Sequence, residues 1–204
     1  MSTANFVPMV DVVRPATQGC ARIDLYTVDR EAVLMSMMRR EYVPLGTYVR
    51  LIINDRLVMS DTRHEQGTNM GFLRNAHGRV LIAGLGIGMI VVPILDDPDV
   101  GSVTVVELIQ DVIDIVQPQI AHPKLTIIRG DINTWRPAKG ERFNTIYFDI
   151  WTDATVGNLP QIARLHRSFA RYLDRNDDRC WMNSWFCEHL RSLKRRGAWR
   201  GLAR

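Results

Sequence analysis

The sequence predicts an α/β fold: a mostly parallel sheet with helices on both faces, preceded by a small β-rich cap. Two observations predict the sheet. From residue 79 onward, short apolar runs rich in β-branched residues alternate with stretches whose apolar positions recur every three or four residues. The first of those runs, "RVLIAGLGIGM" (79–89), ends in glycines at 84, 86 and 88, as where a strand turns into a loop. A third observation sets the first ~75 residues apart. They read as a small cap containing a hairpin, without the repeated strand, loop, helix grammar that starts at 79.

In chain order, "ARIDLYTVD" alternates weakly and suits a strand, and "REAVLMSMMRR" has apolar positions at helical spacing. The methionines at 35, 37 and 38 read as helix packing, since Met fills irregular cores. "TYVRLIINDRLVMSD" reads as a hairpin turning at Asn54-Asp55. We take residues 1–75 as the cap and 76–204 as the α/β domain. In the latter, "RVLIA", "SVTVVE", "KLTIIR" and "FNTIYFDI" are strands covered on both faces, and "RCWMNSWF" is a fifth. "IGMIVVPILDD", "LIQDVIDIVQPQI" and "NLPQIARLHRSFARYL" are the helices between them, with Pro93 a kink in the first and Asn158 an N-cap of the third.

Composition narrows the function classes. The chain has 204 residues, 46% of them apolar, enough for one main domain with a sizeable core. No apolar run reaches membrane-spanning length and the N-terminus has no export pattern, so the expected compartment is the cytoplasm. Three cysteines without ligand spacing argue against a disulfide framework and a zinc site. His64, His122 and His166 share no spacing, and no metal is expected. Net charge is +4, and the tail after Glu188 holds six Lys or Arg and no acid. That tail is either a solvated helix end or a grip for nucleic-acid phosphates.

Ligands of such sheets sit beyond the carboxyl ends of the strands. Gly84, Gly86 and Gly88 fall there, where bare backbone can approach a ligand or merely turn. Acids end the next three strands. Glu107 lies 19 residues past Gly88, placed to accept two hydrogen bonds from vicinal ribose hydroxyls. Asp131 can accept from an adenine amino group, and Asp149 closes the fourth strand. A nicotinamide or flavin fingerprint wants its third glycine at position 89, which is Met, and no GK[ST] follows the loop.

The segments "RVLIAGLGIGM", "VTVVELIQDVIDIV", "KLTIIRGDINTW" and "TIYFDIW" resemble the class I S-adenosylmethionine-dependent methyltransferases, and within them the spermidine synthase-like branch. The resemblance implies a Rossmann-like methyltransferase fold using S-adenosyl-L-methionine as co-substrate. It implies that Gly84, Gly86 and Gly88 lie against the methionine and ribose parts, Glu107 holds the ribose with Leu108 beside it, Asp131 takes the adenine amine with Ile132 beside the ring, and Asp149 faces the reacting centre. Polyamine synthases carry an Asp where this chain has Ile87 and read D-[ST]-[ST]-D where it has "DIWTD", which disfavours aminopropyl transfer from the decarboxylated cofactor.

Asp149 is the expected orienting or proton-accepting group, with Asp153 and Trp151 walling the acceptor pocket. Trp151 can equally be a packing anchor. "SDTRHEQGTNMGF" reads as a connecting loop or as a lid presenting Glu65 and Asn69 to the substrate. The expected function is methyl transfer to an unidentified acceptor, a small molecule or, through the basic tail, nucleic acid. Aminopropyl transfer and a noncatalytic adenosyl- or nucleic-acid-binding module are the alternatives. The strand hairpin that follows the fifth strand in full members of the fold looks missing or replaced by helix. The sheet edge so exposed suggests a homo-oligomer.

Overall fold

The computed structural model describes residues 5–38 and 42–202, with the backbone alone over 198–202. The first four residues read for an export signal, and the Arg200 and Arg204 side chains of the basic tail, lie outside the described residues.

The N-terminal strands β1 (Ala16–Gln18), β2 (Ala21–Val28), β3 (Gly46–Ile53) and β4 (Arg56–Ser60) form an antiparallel sheet in the order β1-β2-β3-β4. The β3–β4 hairpin turns where the sequence predicts. Asn54 and Asp55 both have positive φ, 49° and 58°, the type I′ geometry that matches the strands' twist. Period-two alternation buries Ala21, Ile23, Val49 and Leu51 on one face. Helix α1 (Arg30–Met38), between β2 and β3, buries none of its residues. The expected methionine packing is therefore corrected: Met35 and Met37 are exposed and Met38 is 80% exposed, because the helix projects beside β2 and nothing among the described residues covers its apolar side.

The segment read as a loop or lid is also corrected, being mostly helix α2 (Arg63–Asn75). Thr62 is extended at its N-cap, and Glu65 three residues on completes a T-x-x-E start pattern. The carboxylate reaches past the cap to accept the Ser60 N–H at 3.0 Å. Phe72 and Leu73 face inward, while the positions at Gly67 and Gly71 look onto open space. Those glycines blur the helical period.

Strands β5 (Gly78–Ala83), β6 (Val100–Glu107), β7 (Leu125–Arg129), β8 (Thr145–Phe148) and β9 (Trp181–Ser184) form a wholly parallel sheet in the order β7-β6-β5-β8-β9. Counted from β5 this is order 3-2-1-4-5, a Rossmann-like doubly wound arrangement. Alternate residues serve opposite faces. Val80, Ile82, Val103, Val105 and Tyr147 join the cap residues, α2 and α4 (Gln110–Val116) in one cluster. Leu81, Ala83, Val106, Ile146 and Phe148 pack under α5 (Leu159–Phe169) through Leu165 and Phe169. Phe72 stacks on Tyr147 with ring centroids 4.7 Å apart, so α2 is seated directly on the parallel sheet.

Helix α3 (Val92–Leu95) is a single turn, far shorter than the apolar spacing of 87–97 predicts. Pro93 sits in its first turn, and residues 84–91 are spent on the glycine loop and turns, so little chain is left before Asp96 ends it. Asn158 does not cap α5: it is itself helical and donates its Nδ2 to the Asp153 carbonyl at 2.7 Å. Helix α6 (Cys187–Leu202) follows β9 and packs on α5. No helix among the described residues is long and apolar enough to cross a membrane.

Candidate functional site

Strand order reverses beside β5, where one connection runs outward to β6 and the return crossing reaches β8. In open α/β sheets, ligands bind at this point. Here the carboxyl ends of β5 to β8 open into a cleft of about 650 Å³, whose far wall is the β3–β4 hairpin. Gly84, Gly86, Glu107, Leu108, Asp131, Ile132, Asp149, Trp151, Glu65 and Asn69 all line it, so the structure brings ten sequence-selected residues together.

The glycines have local causes. Gly84, at φ +97°, donates its N–H to the Val106 carbonyl, and a Cβ there would strike the Asp149 carbonyl oxygen. The ends of β5 and β8 touch backbone to backbone at that point. Gly86, at φ +53°, lies under the Met59 sulfur of β4, which a Cβ would strike. Gly88 is placed differently from expectation. It does not line the cleft, and its bare face meets Ile120 Cδ1 at 3.1 Å from where a Cβ would stand, so it serves packing of the loop against the core.

Glu107 is 8% exposed and ties the loop to the sheet: Oε2 accepts the Leu85 N–H and Oε1 the Ile109 N–H, both at 2.8 Å. Each oxygen keeps an acceptor site. Leu108 beside it is 61% exposed at the mouth. Asp131 makes an Asx turn, its Oδ1 accepting both the N–H and the Nδ2 of Asn133 at 2.8 Å, and Ile132 is buried behind it.

Two carboxyls give the cleft its chemistry. The Asp149 side chain accepts no hydrogen bond among the described residues, and burial, with the Glu65 charge adding to it, pushes its pKa up to about 7. Burial likewise lifts Glu65 to about 7, against the Ser60 N–H and hydroxyl that hold it down, while Asp61 adds repulsion. Two acids that exchange protons near neutrality in an apolar cleft are suited to taking a proton from a bound molecule.

Asn69 is 2% exposed and accepts the Tyr147 hydroxyl at 2.8 Å, which makes it a fixed wall. Burial raises the Tyr147 phenol well above its ordinary value, so it remains the donor. Trp151 is both cleft wall and anchor: its Nε1 donates to Gln161 Oε1 at 3.0 Å, and Gln161 in turn holds Asn133. Asp153 is corrected. Two residues beyond Trp151 the chain has turned outward, and Asp153 is exposed and off the cleft. Sequence reasoning missed the hairpin residues Leu51, Ile53, Arg56 and Met59, and also Trp185, whose Nε1 donates to Thr68 Oγ1 at 3.0 Å. The hairpin was legible, but nothing in its pattern marks which face meets a cleft.

No family model matches the chain, and no curated protein does. Solved structures similar to it include the N-methyltransferase NodS from Bradyrhizobium japonicum WM9, at 17% identity over 53% of this chain and 62% of that one, TM-score 0.43. They also include the CcbJ methyltransferase from Streptomyces caelestis, at 20% identity over 48% of this chain and 39% of that one, TM-score 0.39. DesVI from Streptomyces venezuelae matches at 18% identity over 48% of this chain and 39% of that one, TM-score 0.38. The chain thus spans less than two thirds of the length of each of these structures, and 39% of two of them.

Proposed function

We propose that the protein is a methyltransferase that takes its methyl group from S-adenosyl-L-methionine. One observation carries the reading: the cleft at the switch point gathers Gly84, Gly86, Glu107, Asp131 and Asp149 from the ends of four successive strands. The residues fit an adenosyl group. The volume is ample for one, the spare acceptor sites of Glu107 suit the paired ribose hydroxyls, and Ile132 with exposed Leu108 offers apolar sides for a ring.

When bound, the sulfonium supplies an electrophilic methyl on a good leaving group. This chain's residues have the remaining tasks. Glu107 and the bare loop orient the adenosyl end, Trp151 and the hairpin exclude water, and Asp149 accepts the proton that the acceptor's nucleophilic atom gives up. Burial, with the Glu65 charge adding to it, keeps Asp149 basic enough to do so at neutral pH.

The antiparallel sheet ahead of the parallel one supports the spermidine synthase-like branch. Ile87 supports methyl over aminopropyl transfer: it is 0% exposed and turned into the core, so no loop carboxylate at that position reaches the cleft. Titration calorimetry with S-adenosylhomocysteine tests the reading. Binding is expected, tighter for S-adenosylmethionine than for its decarboxylated form, and weakened about tenfold or more by Glu107→Gln, since a charged acceptor is lost. No heat with any of these ligands, from a protein that melts cooperatively, would overturn it.

A further inference from the structure

Methyl transfer leaves one feature unused, the cationic outer face of α5. Arg164 and Arg167 on α5, and Arg171 on the short 3₁₀ turn Ala170–Tyr172 that continues it, are three and four residues apart and so form one stripe. All three are exposed, on the side away from buried Ile162, Leu165 and Phe169. Helix α6 packs on the other side of α5, Cys187 and Leu190 meeting Ile162, and carries exposed Arg191, Lys194 and Arg195 of its own. The Arg191 charge is close enough to α5 to help burial hold the His166 imidazole down at about 4.

Among the described residues none of these six cations forms an ion pair. Arg164 donates to Asn133 Oδ1 at 3.4 Å and Arg171 to the Tyr172 hydroxyl at 3.0 Å; both partners are neutral. Helix α5 contains no acid, and α6 has Glu188 alone. Arg167 with Arg171, and Arg191 with Arg195, are like-charge pairs four apart, which destabilise the isolated helix. A polyanion relieves that repulsion. The residues that flank the stripe on the helix surface, Ala163, Ser168 and Ala170, are small, and Leu165 and Phe169 are buried, so the stripe has no large apolar group to sink into a bilayer. Its upper end also joins the cleft, since Asn133, which Arg164 touches, lines the opening with Gln161 and Trp151.

We propose that this face binds the phosphate backbone of a nucleic acid. The inference is independent of methyl transfer and would survive its failure. The test is fluorescence anisotropy with a labelled oligouridine of about twenty nucleotides, across about 50 to 200 mM salt. Three to four phosphate contacts give a log–log salt slope of about −2 to −3. The triple variant Arg164→Gln, Arg167→Gln, Arg171→Gln removes about 2 from that slope and weakens binding about 100-fold near 0.1 M salt.

These side chains are exposed, so the variant should keep its melting temperature and its affinity for S-adenosylhomocysteine. The pair Lys139→Gln, Arg142→Gln, exposed cations elsewhere, should leave RNA binding unchanged. Three results would overturn the proposal: no binding at the lowest salt, equal losses in the triple variant and the control pair, or binding to phosphatidylserine vesicles without binding to RNA.

Discussion

Replacing Asp149 by Asn separates the cost of burying a charge from its use. In the folded chain the carboxyl titrates near 7 instead of its ordinary 3.8. At 1.36 kcal/mol per unit, the ionised form therefore opposes folding by about 4 kcal/mol. For the sign, an acid with a raised folded pKa binds its proton more tightly in the native state. Its stability cost is absent below the unfolded pKa of 3.8 and grows as pH rises from there through about 7. Asn carries no such cost, so the variant gains about 2 kcal/mol at about pH 5 and about 4 kcal/mol at about pH 8. At about 2–4 °C per kcal/mol for a chain of this size, its melting temperature should exceed the parent's by about 5–10 °C more at the higher pH.

Scanning calorimetry at the two pH values reads this directly. Isothermal titration should show S-adenosylhomocysteine affinity within about threefold of the parent, because the proposed function gives Asp149 to the acceptor and not to the cofactor. A melting temperature raised equally at both pH values, or lowered at the higher one, would refute the buried-charge reasoning. A joint loss of cofactor affinity would refute the assignment of Asp149 to the acceptor.

Other perturbations probe the frame around the cleft. Gly84→Ala meets both a positive φ and the Asp149 carbonyl, and should lower the unfolding free energy by about 2–4 kcal/mol in urea titration; a loss under half a unit would show that the β5–β8 junction yields easily. Tyr147→Phe strands the Oδ1 of buried Asn69 and should cost about 1–3 kcal/mol in the same assay, against no change if water replaces the hydroxyl.

What the sequence disclosed follows from how local each signal is. The short β-branched runs at 80–83, 103–106 and 145–148 read as strands covered on both sides, and Asn54-Asp55 states its turn in two residues. Helix α2 was obscured because Gly67 and Gly71 occupy its solvent side and dilute the apolar period, although Thr62 and Glu65 carry its start signal. Helix α3 is shorter than its apolar spacing predicts because residues 87–91 are apolar for burial in the loop rather than for helical spacing. At the site, Glu107, Asp131 and Asp149 were legible because strand ends converge wherever a parallel sheet forms. Asp153 was misplaced since a loop has no period to say which way a side chain turns. The contribution of Met59 depends on how the cap docks, a long-range fact absent from any window of sequence.

That methionine makes the hairpin a gauge of occupancy. A molecule threaded along the loop has to shoulder the thioether off Gly86, and the next residue, Ser60, is the one whose amide and hydroxyl steady Glu65. Arrival at one end of the crevice is thereby written into the acid at the other, and a carbon-detected titration of the Glu65 carboxyl with and without S-adenosylhomocysteine should register it as a displaced midpoint.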